Sequence, residues 1–133
     1  LEFSTPYVRR VIEQVQSERF AVIYHNCKAR LEHLSGIFET GAAVYHFGAP
    51  MNLLAALDAV DPKTSLAGNL DPNEVFLDGA PEVVAAKTDE LLRATAGRAN
   101  FVLSPGCQLL PGTPLPNVDA FYRSLEEYNR REG

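Results

Sequence analysis

A chain of 133 residues with 46% apolar content and a net charge of −5 is one domain or part of one, and too apolar for a disordered segment. The acidic balance excludes the basic footprint of a nucleic-acid binder, no basic amphipathic face suits a membrane surface, and no apolar run approaches the roughly 20 residues of a spanning helix. The opening residues, LEFSTPYVRR, lack the apolar stretch and cleavage site of a signal peptide, and two cysteines make no disulfide framework, so the expected compartment is the reducing cytoplasm.

The elements follow in chain order. Ser4 and Thr5 are capping candidates with Pro6 in the first turn, and Val8, Val11, Ile12 and Val15 follow at i, i+3, i+4 and i+7. That spacing predicts a helix with one apolar face. Phe20–Tyr24 (FAVIY) is short, β-branched and apolar throughout, as a strand buried on both faces must be. Residues 28–39 read as a helix with Leu31, Leu34 and Phe38 inward, stopped by Gly41. Ala42–Phe47 is a second strand, residues 51–60 a short helix closed by Asp61-Pro62, and Thr64–Leu70 a third strand. Pro81 starts a longer helix with Val84, Leu91 and Leu92 apolar and Gly97 past its end. Asn100–Ser104 is a fourth strand, followed by a Pro/Gly-rich loop and a last helix with Val118, Phe121, Tyr122 and Leu125 on one face. A helix followed by four βα units predicts an α/β fold with a parallel sheet and right-handed crossovers.

In parallel α/β folds, ligands bind at the carboxyl ends of the strands. Here those ends read His25-Asn26-Cys27, His46-Phe47-Gly48, Gly68-Asn69-Leu70-Asp71-Pro72 and Ser104-Pro105-Gly106-Cys107, all on one rim. His25, Cys27 and Cys107 are good soft-metal ligands. Imidazole with thiolate favours zinc, and three protein ligands leave the fourth position open, as catalytic zinc sites do. His-x-Cys with a third ligand beyond residues 28–106 is not zinc-finger spacing. Each element also has a plainer reading. A cysteine is often simple core packing, His46 reads as a hydrogen-bonded structural histidine, and His33 as a surface residue. Asn69 and Asp71 serve equally well as turn residues or as an amide and a carboxylate facing the site.

GNLDP (68–72) followed by a helix, and FVLSPGCQLLPGTPLPNV (101–118), resemble the C-terminal half of the uroporphyrinogen decarboxylase superfamily. That superfamily includes cobalamin-dependent methyltransferases that move methyl groups from corrinoid proteins to thiols. The resemblance extends from VIYHNC (22–27) to the last helix. Decarboxylase-type members carry a histidine near the position of Cys107 and lack the His-x-Cys pair. The methyltransferase branch carries His-x-Cys and a distant Cys as zinc ligands, which this chain matches at His25, Cys27 and Cys107. Lys28 departs from the glycine usual after the first Cys, and reads as solvated or as an electrostatic helper of the thiolate.

The resemblance implies a (βα)8 TIM barrel, a fold of about 250 residues. Four βα units preceded by a helix are its parallel-strand half, so residues 1–133 are expected to be a single domain, the C-terminal half of the barrel and a fragment of a longer chain. A self-standing open sheet is the alternative. The resemblance further implies zinc, a corrinoid (methylcobalamin) as methyl donor, a small thiol as acceptor and a corrinoid protein as partner. Asn69 and Asp71 would orient substrate. Three functions stay open: the zinc-dependent methyltransferase, a metal-free uroporphyrinogen decarboxylase of porphyrin biosynthesis, and a non-catalytic half-barrel that only binds. The unpaired strand edges predict a homo-oligomer, and the isolated half is expected to be inactive.

Overall fold

A computed structural model of the protein describes residues 2–132. Helix α1 (Thr5–Val15) leads to strand β1 (Ile23–Asn26), a 3-10 turn (Leu31–His33) running into α2 (Leu34–Phe38), and β2 (Val44–Phe47). Then come α3 (Leu53–Ala59), β3 (Ser65–Leu70), a π-helical turn (Pro72–Leu77), α4 (Pro81–Ala94), β4 (Phe101–Pro105) and α5 (Leu115–Glu132). The four strands form one parallel sheet in the order β1-β2-β3-β4. Sequential parallel order with a crossover at each step is the arrangement of an arc of a TIM barrel.

Strand register separates the two faces. Tyr24, Tyr45, Leu66 and Phe101 lie side by side in one row, and His25, His46, Ala67 and Val102 in the next. Because side chains alternate along a strand, these rows face opposite ways. The first row and its partners Phe47, Leu70 and Leu103 belong to the hydrophobic clusters that the helices close. Tyr45, Phe47 and Leu66 are fully buried there, and the Phe38 and Tyr45 rings meet edge to face at 5.0 Å. Around Leu70, α4 and α5 add Val84 and Phe121, and Phe121 stacks against Phe76 at 5.5 Å. None of the second row belongs to either cluster.

The sequence expectations hold for the order and type of the elements and shift at several boundaries. β1 starts at Ile23 rather than Phe20, because Ser17 and Phe20 close a tight turn through reciprocal main-chain hydrogen bonds of 3.0 and 3.1 Å. Nor is it buried on both faces: Phe20 is 58% and Ile23 64% exposed, and only β2 pairs with it among the described residues. The helix expected over 28–39 begins at Leu31, since Arg30 is extended, and Leu31 points outward. It ends as expected at Gly41, whose φ of +76° suits glycine.

Ser4 caps α1 with no side-chain hydrogen bond. Thr5 instead donates its hydroxyl to the Gly36 carbonyl at 2.9 Å and so docks α1 on α2. On α1, Ile12 is buried while Val11 and Val15 are exposed. On α5, Phe121 is buried and Tyr122 exposed, its place inward being taken by Ser124 and Asn117.

Candidate metal centre

The carboxyl rim brings His25, Cys27 and Cys107 together: one ligand atom from each lies within 4.8 Å of the other two. His25 is the penultimate residue of β1, Cys27 opens the turn after it, and Cys107 sits two residues past β4. Two strands separate β1 from β4, so Cys107 must be carried across the rim. Main-chain packing does this. Gly106 donates its amide to the Leu70 carbonyl at 2.7 Å, and a Cβ on Gly106 would stand only 2.8 Å from the Ala49 nitrogen. A Cβ on Gly48 would overlap the Cys27 carbonyl oxygen. Glycine at 48 and 106 therefore lets the three loop backbones touch.

The His25 Nε2 stands 3.5 Å from the Cys107 Sγ. Ligand atoms around a tetrahedral zinc, with bonds of about 2.3 Å to sulfur and 2.0–2.1 Å to nitrogen, stand roughly 3.5–3.8 Å apart. The His25–Cys107 pair has that spacing, and one imidazole with two thiols, all within 4.8 Å of one another, suits zinc in chemistry. The rim is also electrostatically tuned. Burial, and then the charge of the neighbouring His46, lowers the pKa of His25, while hydrogen bonding to the His46 main chain pulls it up. Hydrogen bonding to Cys107, then burial and the charge of Cys107, raises the pKa of Cys27; Lys28 pulls it down and Asp71 pushes it up. A neutral imidazole is the form that ligates, and a cation beside two thiols reverses the penalty on the second thiolate.

The other rim residues are held as follows. The Asn69 amide donates to the Gly48 carbonyl at 3.2 Å and the Met51 carbonyl at 2.7 Å, tying β3 to the loop before α3. Asp71 accepts at Oδ1 from the amides of Asn73 and Glu74, at 2.7 and 3.0 Å, and so caps the π-helical turn. Its charge nevertheless reaches Cys27. His33 is exposed and accepts from the Arg30 amide at 3.0 Å. His46, beside His25 in the sheet, stacks on it with ring centroids 4.6 Å apart, reaches the Pro105 carbonyl with Nε2 at 2.8 Å and lies 3.3 Å from the Ser104 hydroxyl. Its helix-side neighbour Tyr45 and its own place in an alternating strand signal which way it points; its reach to β4 has no sequence signal.

Comparison with known proteins agrees with this architecture. The family model described as "Uroporphyrinogen decarboxylase (URO-D)" matches residues 1–128. A uroporphyrinogen decarboxylase of Synechococcus sp. (strain CC9605) is 28% identical over 98% of this chain and 37% of its own length. The Methylcobamide:CoM methyltransferase MtbA of Methanosarcina acetivorans is 25% identical over 96% of this chain and 36% of its own length. The chain thus spans little more than a third of these curated relatives. Among solved structures, a methyltransferase from Methanosarcina mazei superposes with a TM-score of 0.80 at 23% identity, over 96% of this chain and 36% of that one, which shows the shared fold. With its parallel βα arc and a family match over nearly its whole length, the chain belongs to the uroporphyrinogen decarboxylase family.

Proposed function

We propose that the chain supplies the metal-holding rim of a zinc-dependent methyltransferase that moves a methyl group from a methylated corrinoid to a small thiol. The convergence of His25, Cys27 and Cys107 within 4.8 Å is the observation that carries this reading. It is supported by the name of the Methanosarcina acetivorans relative, a methylcobamide:CoM methyltransferase. In this reading residues 1–133 are one domain, the C-terminal half of the barrel. The other half would supply most of the substrate pocket, and the isolated half would not turn over. A corrinoid protein would present the methyl group, and the cytoplasm is the compartment. Among the described residues no helix is long and apolar enough to cross a membrane.

The mechanism assigns the chain positioning and charge. His25 would bind through the Nε2 that faces Cys107, and Cys27 and Cys107 would bind as thiolates. Zinc, when bound, supplies the Lewis acidity that makes a thiol a thiolate at neutral pH. Lys28, next to Cys27, offsets negative charge on the rim. Asp71 adds negative charge from the other side, and with Asn69 would orient the acceptor while holding the two loops that shape the mouth.

Metal-free decarboxylation of uroporphyrinogen is the second reading, favoured by the family match and the Synechococcus relative. A non-catalytic binding half-barrel is the third. Zinc loading followed by removal of excess metal separates them. We expect about one zinc per chain, falling below about a tenth of that in Cys27→Ala and in Cys107→Ala, both still folded. A folded parent chain that retains no zinc would overturn the methyltransferase reading.

A further inference from the structure

We infer that His46 is a positioning residue of the rim, which holds the Cys107 loop in reach of His25 and sets the plane of the His25 ring. The inference rests on the reading of the rim as a metal centre, but the geometry behind it is separate from the three ligands. His46, Ala67 and Val102 share one row of the sheet, so β3 lies between His46 and β4. The imidazole therefore has to cross β3 to reach β4, and Ala67, its register partner on β3, carries only a methyl side chain. The ring reaches the Pro105 carbonyl with Nε2 at 2.8 Å. A carbonyl only accepts, so the proton is on Nε2. The Ser104 hydroxyl donates to the same oxygen at 2.9 Å and stands 3.3 Å from Nε2.

The consequence falls on the next two residues. With the Pro105 carbonyl held from one side by His46 and Ser104, and the Gly106 amide held by Leu70 from the other, the peptide between them is fixed. Cys107 follows it directly. The opposite side of His46 packs on the His25 ring at 4.6 Å and a 39° tilt. One side chain therefore touches both arms of the ligand set, one by contact with a ligand ring and one through the backbone two residues before a ligand. Hydrogen bonds and packing around metal ligands are the usual means of fixing their orientation, and losing one such partner typically costs 10–100-fold in metal affinity.

The test uses His46→Phe, which keeps a ring against His25 but removes the donor. It also uses His46→Gln, whose amide nitrogen falls near the position of the imidazole Nε2, and Ser104→Ala. Zinc affinity is measured by competition with a chromophoric chelator, and ligand geometry by the absorption spectrum of the cobalt-substituted chain. We expect affinity to fall about 10–100-fold in His46→Phe, with a changed cobalt spectrum and an unchanged fold by circular dichroism. His46→Gln should recover part of the affinity, and Ser104→Ala should lose less than His46→Phe.

A second measurement needs no metal. With excess chelator, diamide oxidises the Cys27 and Cys107 thiols to a disulfide and is itself reduced to the hydrazine. That closure should be several-fold slower in His46→Phe than in the parent. If the parent binds no zinc, the zinc reading fails and the diamide rate alone decides the role of His46. Parent-like zinc affinity and cobalt spectrum in His46→Phe, or, without zinc binding, a parent-like diamide rate, would overturn the inference.

Discussion

The same four strands build two faces of opposite character. Toward the helices, Tyr45, Phe47 and Leu66 are closed off from water and form a continuous core with Tyr24 and Phe101. On the other face stand Ile23 at 64% and Val102 at 49% exposure, an exposed His25 and a half-buried His46. A closed face loses packing when it is altered, whereas an open face can change its side chains with little cost to folding and is free to carry chemistry. The rim occupies the carboxyl end of the open face. There, loop glycines and main-chain hydrogen bonds hold the loops that carry Cys27 and Cys107 in place, not hydrophobic burial.

The largest effect expected from this contrast is on stability. Phe47→Ala removes a fully buried ring from the closed face and should cost about 3–5 kcal/mol, enough to leave a chain of this size marginal or unfolded. Val102→Ser changes the open face and should stay within about 0.5 kcal/mol of the parent. Urea denaturation of both variants measures the difference. Comparable losses would mean that the open face is also a core, closed by something the described residues do not include.

A smaller effect concerns association. The outer edges of β1 and β4 have no strand partner among the described residues, and Phe20, Ile23 and Val102 expose apolar surface beside them. Unpaired edges with apolar side chains recruit further strands. Light scattering well above micromolar concentration should give a mass above that of one chain, and Ile23→Lys should lower it. A monomer at all concentrations would show that these edges are protected in solution.

Much of this architecture is legible in the sequence because strand order follows from alternation of elements, and because parallel strands put their carboxyl ends on one side. His25, Cys27 and Cys107 could be nominated from residue chemistry and position alone. Boundaries were less accessible. Phe20 has strand composition but lies in a turn closed by main-chain atoms, which leave no residue signature. Val11, Val15 and Tyr122 fit the helical period of their neighbours yet face water, because periodicity identifies an apolar stripe and not what covers it.

Long-range polar anchors were the least accessible. Asn117, in the PGTPLPN stretch, is fully buried and donates to the Phe76 and Gly79 carbonyls at 2.8 and 2.7 Å. The motif shows that an asparagine is there, while its work of joining α5 to the π-helical turn appears only in three dimensions. The link from His46 to Pro105 is of the same kind, crossing β3 to a carbonyl that any residue could offer.

The smallest predicted effect is a pH dependence confined to the open face, the face that carries the paired histidines. In the metal-free chain burial, and then the charge of His46, holds His25 below its ordinary value, with hydrogen bonding to the His46 main chain only partly offsetting this. The sign follows from proton binding. In the unfolded chain His25 titrates near 6.5, so below about that pH the unfolded state carries more protons at this site than the folded state does. Stability should therefore fall as pH drops from about 6.5 through the lower folded value, and level off beneath it; above about 6.5 His25 contributes no slope. That burial is only partial, since the residue is exposed overall, and solvent screening keeps the change small. Urea midpoints measured with excess chelator between pH 8 and 5, for the parent and for His25→Asn, isolate this contribution from that of the carboxylates, which both chains share. The parent should lose more stability than the variant between about pH 6.5 and 5 and run parallel to it above. Parallel curves over the whole range would mean that neither burial nor the charge of His46 disfavours the charged form of His25 in the folded chain.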